Sequence, residues 1–194
     1  MKAYTFNISL SILNHLGRNL YRSFITVLGE AISNSWDADA KKVWIYIDRD
    51  NNTLVIKDDG LGMTENDFQN KFLKIGYSKR KDNTTSTASG RPFIGRKGIG
   101  KLALLSCAKR ITVLTKTANT DLVGGVIDNS GLDEAIKDDV SANEYNLVEP
   151  SKEIVLSRLR QDENIIIKNI SGIKIFLFII IIITLFKKNT IHKL

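Results

Sequence analysis

Glu30 and Asn34 stand four residues apart in the stretch GEAISNSWDADA, and Asp37 follows three further on. On a helix that spacing puts all three side chains on one face. A carboxylate beside a carboxamide suits a hydrated magnesium ion and a water to be activated. Mg²⁺ takes oxygen ligands in octahedral geometry and keeps several waters alongside substrate phosphates. Asn34 can offer its amide oxygen, and Glu30 can orient and deprotonate the attacking water. A solvated helix face with an incidental Glu–Asn pair is the other reading, and the commoner one for this stretch alone.

Two further stretches carry chemistry. In DDGLGM, Asp58 closes an expected strand, and Gly60 and Gly62 follow at alternate positions, where backbone can approach a ligand closely. A buried Asp58 carboxylate could accept the exocyclic amino hydrogen of adenine, and Met63 could give the ring a soft apolar contact. An ordinary Asp-Gly turn remains the alternative. In GRKGIGKL, Gly95, Gly100 and Lys101 fall on the positions of a phosphate-binding P-loop, but Leu102 stands where that loop needs a hydroxyl. No apolar strand precedes Gly95, so the P-loop reading fails on context as well. Parsed as G-x-x-G-x-G, the same residues give Gly95, Gly98 and Gly100 ahead of a helix whose free N–H groups would attract phosphate.

The elements that must position these residues follow from periodicity. Apolar residues from Ile8 to Ile32 recur at three- and four-residue steps, the stripe of a core-facing helix or helix pair over 8 to about 40, with Gly17 and Gly29 as candidate breaks. KVWIYID (42–48) and TLVIKD (53–58) flank the turn RDNN and read as a β-hairpin. Thr64 and Asp67 form an approximate capping box opening a short helix to about Leu73. Residues 77–94 are polar and rich in Ser and Thr, the composition of a mobile loop. A helix is expected over 99–110, strands over 111–117 and LVGGVID, and an acidic helical segment after them.

The chain of 194 residues is long enough for one full hydrophobic core, and 43% hydrophobic content argues against wholesale disorder. The net charge of +7 favours an anionic partner, nucleotide or nucleic acid, though no aromatic–basic interleaving marks nucleic-acid contact. A single cysteine, Cys107, excludes an internal disulfide and a cysteine-based zinc site, and makes a reducing, cytoplasmic setting the default. Two distant histidines exclude a histidine-rich metal site. The apolar run GIKIFLFIIIIITLF (172–186) is short against the ~20 residues of a membrane helix, and its isoleucine density favours a buried strand at its start. A membrane is therefore not the expected partner.

Taken in order, E-x-x-x-N (Glu30, Asn34), D-x-G-x-G (Asp58, Gly60, Gly62) and G-x-x-G-x-G (Gly95, Gly98, Gly100) resemble the GHKL ATPase superfamily of gyrase B, heat-shock chaperones, histidine kinases and MutL. The resemblance covers about residues 8–117, and extends to a strand at 172–178. NSWDADA, KIGYSKR and GRKGIGKLA look most like the chaperone-like modules of bacterial ATP-binding proteins and the MORC family. It implies an α+β fold, a Bergerat-type two-layer sandwich whose mixed, mostly antiparallel sheet is covered by helices on one face, with an ATP lid. It further implies ATP and Mg²⁺ as cofactors, Glu30 as general base, Asn34 as magnesium ligand and Asp58 as adenine anchor. Gly60, Gly62 and Met63 would line the base pocket, and Asp37 would be a pocket residue or support one. Gly95, Gly98, Ile99, Gly100 and Lys101 would face the phosphates.

The domain is then expected over residues 1–178, with its lid at 77–100, and residues 179–194 as an apolar, basic tail that a shifted reading frame through AT-rich DNA would also encode. Two departures from the family pattern stand out. Its Gly-Thr pair in a late strand is here Gly172 followed by Ile173, and the chain is expected to end before a following domain that supplies a lysine to the γ-phosphate. Expected function is thus Mg-dependent ATP hydrolysis, slow without a second domain, with lid closure coupled to homodimerisation or partner action. A non-hydrolysing nucleotide switch, or an inactive fragment of a larger ATPase, are the alternatives.

Overall fold

The computed structural model describes residues 9–18, 24–77, 85–95, 98, 100–102, 104, 108–142, 144–154 and 179–185. The helical stretch expected near the start is a pair, α1 (Ser11–Arg18) and α2 (Phe24–Asp37). Gly29 does not break α2; it lies inside the helix with open space around it. What ends α2 is a Schellman motif: Ala40 N–H donates to Ser35 O at 3.0 Å and Asp39 N–H to Trp36 O at 3.0 Å. The left-handed residue of that motif is Asp39 (φ +61), a position usually given to glycine.

The expected hairpin forms as β1 (Val43–Asp48) and β2 (Thr53–Asp58), paired antiparallel with Val43 opposite Asp58. Asp48 closes its turn by accepting the Asp50 and Asn51 N–H groups. Thr64 and Asp67 make a reciprocal capping box at the start of α3 (Glu65–Asp67), which continues as a π-helical turn over Phe68–Phe72. Strand β3 (Ala108–Thr115) starts inside the stretch expected as helix. Within that stretch Gly100–Leu102 is a short 3-10 turn, Leu104 is helical as expected, and Ala108–Arg110 are strand. Fully buried Ala108 is held there by sheet pairing, which overrides the helical composition around it. β4 (Val123–Asp128) and α4 (Asn129–Lys137) follow as expected, with Asp128 capping α4 through the Ser130 N–H at 2.9 Å.

β5 (Ile179–Leu185) is the middle strand of a five-stranded sheet in the order β1-β2-β5-β3-β4. The late strand expected at 172–178, including Gly172 and Ile173, lies outside the described residues. β5 itself comes from the segment expected to be a tail. Among the described residues the four strand pairings are all antiparallel, in keeping with the mostly antiparallel sheet expected. One sheet face carries Leu54 and Ile56 of β2 and Ile111 and Val113 of β3. These pack with Val27 and Ala31 of α2, Leu10, Leu102, Leu104 and Leu132 of α4, so the helices cover this face. Each of these Val, Leu and Ile side chains contributes roughly 1.5–3 kcal/mol by leaving water. On the opposite face Val55 and Leu114 pack against Leu122 and Ile154. The result is an α+β two-layer arrangement, with the end of β2 brought beside the last turn of α2.

Candidate functional site

The inner stripe of α2 runs Val27, Ala31, Ser35, all buried. A serine at the third position of an apolar stripe demands a partner, and it has one. Ser35 Oγ donates to Asp58 Oδ2 at 2.8 Å, and the Gly60 N–H donates to Asp58 Oδ1 at 2.9 Å. Asp58 is only 2% exposed. Burial pushes its carboxyl above the usual 3.8; the hydrogen bonds from Gly60 and Ser35 oppose that rise, and neighbouring Asp59 adds to it. Such a group is an acceptor with few competitors in a dry setting, the property a base anchor needs.

The glycines after Asp58 have a steric purpose. A Cβ on Gly60 would sit 2.7 Å from Ala38 O and 2.8 Å from Ala38 Cβ, and the Leu61 N–H donates to the same carbonyl at 2.7 Å. Gly60 therefore lets the loop press against the end of α2. Gly62 takes φ +67. Half-buried Met63 packs against the helix-side core, and its N–H donates to Thr115 Oγ1 at 3.0 Å. The loop thus crosses the sheet from the end of β2 to the end of β3. Asp58 and Thr115 both pair with Ile179 of β5, so an isoleucine holds the register position between these two polar residues.

The three glycines of G-x-x-G-x-G divide their tasks. A Cβ on Gly95 would meet Asp37 Oδ2 at 2.7 Å, and one on Gly100 would meet Glu30 Oε2 at 1.9 Å. Gly98, at φ +65, would place its Cβ 1.9 Å from Tyr77 O. The Gly76 N–H donates to Gly98 O at 3.3 Å, which closes the loop from 76 to 98 at its stem. Gly100 thus brings the glycine loop against the Glu30 carboxylate, joining motifs seventy residues apart in sequence. Ile99 lies outside the described residues, as does the Lys101 side chain.

Asp37, expected as a supporting or pocket residue, faces the chain that enters the glycine stretch. Its carboxylate accepts the Ile94 N–H at 2.8 Å and the Gly95 N–H at 3.0 Å. The stretch expected as a mobile loop is, over 85–95, a small hairpin docked on the end of α2. Within it, Thr87 N–H donates to Arg91 O at 2.8 Å and Phe93 N–H to Thr85 O at 3.2 Å. Asp39 accepts the hydroxyls of Thr87 and Ser89 and the Ser89 N–H. Desolvation raises the Asp39 pKa, but the Ser89 and Thr87 bonds outweigh it and hold the group below 3.8. Arg91 donates to Ala40 O at 2.6 Å and lies 4.8 Å over the Trp36 ring, whose Nε1–H donates to Pro92 O at 3.0 Å. A polar loop composition reads as disorder unless the partners that satisfy it, here on α2, are known.

Among the described residues no group of three or more His, Cys, Asp or Glu is arranged to hold a metal. Glu30 and Asn34, both half-buried, lie one helical turn apart on α2, and their oxygens are the hard donors that Mg²⁺ takes. No helix among the described residues is long and apolar enough to cross a membrane.

Residues 21–158 match the family model described as histidine kinase-, DNA gyrase B-, and HSP90-like ATPase. The chain is 45% identical over 105 residues to a putative type II restriction enzyme, HgiDII, of Herpetosiphon aurantiacus, covering 54% of this chain and 17% of that protein. It is 30% identical over 173 residues to the chaperone protein HtpG of Campylobacter jejuni, covering 70% of this chain and 28% of the relative. To HtpG of Shouchella clausii it is 31% identical over 91 residues, 46% of this chain and 15% of the relative. The chain thus spans under a third of the length of each.

Proposed function

Since this chain belongs to the histidine kinase-, DNA gyrase B- and HSP90-like ATPase family, we propose that it binds ATP at Asp58 and hydrolyses it with Glu30 as general base. The observation that carries this reading is the convergence on α2. Asp58 is fixed to Ser35 on the inner side of the helix, while Gly100 lies against Glu30. The adenine amino group donates to the Asp58 carboxylate, with Gly60, Gly62 and Met63 beside the ring. The phosphates extend toward Gly95, Gly98, Ile99, Gly100 and Lys101. Glu30 orients a water toward the γ-phosphorus and accepts its proton as the bond to the β–γ bridging oxygen breaks and ADP leaves. Asn34 would hold the magnesium ion, which when bound neutralises charge on the phosphates.

Lid closure over the nucleotide would couple ATP to homodimerisation or to a partner. The 45% match to a putative restriction enzyme, against 30% and 31% to the two HtpG chaperones, favours a DNA-associated assembly as the setting, in keeping with the +7 charge. The test is a steady-state phosphate-release assay with and without duplex DNA, run on the wild type and on Glu30→Ala. Mg-dependent turnover lost in Glu30→Ala supports hydrolysis. A wild type that binds ATP and never releases phosphate makes it a nucleotide switch instead. Turnover unmoved by DNA removes the DNA-associated setting.

A further inference from the structure

We propose that Asp37 is a positioning residue that fixes the entry of the glycine loop, so that it governs how the phosphates, and not the base, are held. The inference rests on the ATP-binding reading above. Asp37 is 7% exposed and sits on the last turn of the helix that carries Glu30 and Asn34. One carboxylate oxygen accepts the Ile94 N–H and the other the Gly95 N–H, so two consecutive amides are held by one side chain. Such a fork fixes both position and direction of the chain as it enters G-x-x-G-x-G. Gly95 is glycine because the carboxylate occupies the space of its Cβ, 2.7 Å away. This is a steric reason independent of any phosphate.

The hairpin leading into this point adds nothing soft to it. Its Thr87 and Ser89 are tied to Asp39, Arg91 to Ala40 O and over Trp36, and Pro92 O to Trp36 Nε1. Every anchor belongs to α2 or to the motif that ends it. The hairpin and α2 therefore move as one body up to Gly95, and the glycine loop starts from a point set by the helix that bears the catalytic pair. Asp58 and Met63 are held by other groups, Ser35, Gly60 and Thr115, so the base site does not depend on Asp37.

The test compares ATP with adenosine by calorimetry on the full chain for wild type, Asp37→Asn and Gly95→Ala. The second variant pushes the carboxylate away without altering it. Both variants are expected to weaken ATP about tenfold or more, the size of a lost charge-assisted hydrogen bond, while adenosine stays within about twofold. Amide hydrogen exchange at Ile94 and Gly95 is expected to quicken in Asp37→Asn. Unchanged ATP affinity in both variants overturns the proposal, as does an equal loss of ATP and adenosine, which marks a merely structural residue. A wild type that binds neither ligand overturns the ATP reading itself, and this inference with it.

Discussion

Ser35 Oγ donates to Asp58 Oδ2 at 2.8 Å, joining the helix of Glu30 and Asn34 to the strand end that carries the proposed base anchor. The bond is buried, with Ser35 and Asp58 each 2% exposed. One helix, α2, thus touches both the strand end at Asp58, through Ser35, and the glycine stretch at Gly100, through Glu30.

The buried Asp58 carboxyl makes stability depend on pH in a defined direction. Its folded pKa lies above 3.8, so the folded state keeps the proton to higher pH than the unfolded chain. Stability contributed by this group is lost as pH rises from 3.8 through the folded value, and the cost persists at neutral pH. Asp58→Asn removes the ionisable group and should raise the melting temperature relative to wild type at pH 7, with the difference shrinking as pH falls toward 3.8. Thermal melts of both proteins across that range check the sign.

Glu30→Gln should leave ATP affinity within about threefold and lower turnover by about 100-fold or more, in line with loss of a general base. Parallel binding and phosphate-release measurements separate the two effects. A matching loss of affinity would show that Glu30 holds the ligand instead.

Gly100→Ala and Gly98→Ala should differ in kind. At Gly100 the added Cβ meets only the end of the Glu30 side chain, which can swing aside, so the protein should fold and lose turnover. At Gly98 it meets the Tyr77 backbone from a left-handed φ, so the protein should lose about 1–3 kcal/mol of stability. Denaturant melts and phosphate release on both variants distinguish the outcomes.

Thr115→Val removes the acceptor of the Met63 N–H and should destabilise the chain by about 1 kcal/mol, because a half-buried donor loses its partner. Thr115→Ser keeps the acceptor and should recover most of that loss. Urea unfolding of the three proteins checks this.

Much of this geometry was legible in the residues. The β1–β2 hairpin, the Thr64–Asp67 box and the α2 helix follow from alternation, capping chemistry and period. The docked hairpin at 85–95 was not legible, because its hydrogen bonds end on Asp37, Asp39 and Ala40, some fifty residues away. Nor was the position of β5, since a run of five isoleucines has no alternation to fix which residues face the helices. Ser35 did leave a signal, a hydroxyl on the buried stripe of α2. Thr115 left none, because threonine is ordinary in a strand.

ATP titrated calorimetrically into wild type and Asp58→Asn, in the presence of Mg²⁺ and with GTP as comparison, tests the central claim most directly. The account predicts saturable ATP binding to wild type, at least about 100-fold weaker binding to Asp58→Asn, and weak GTP binding to both, since guanine offers a carbonyl where adenine offers its amino group. Equal ATP affinity in wild type and Asp58→Asn would contradict it.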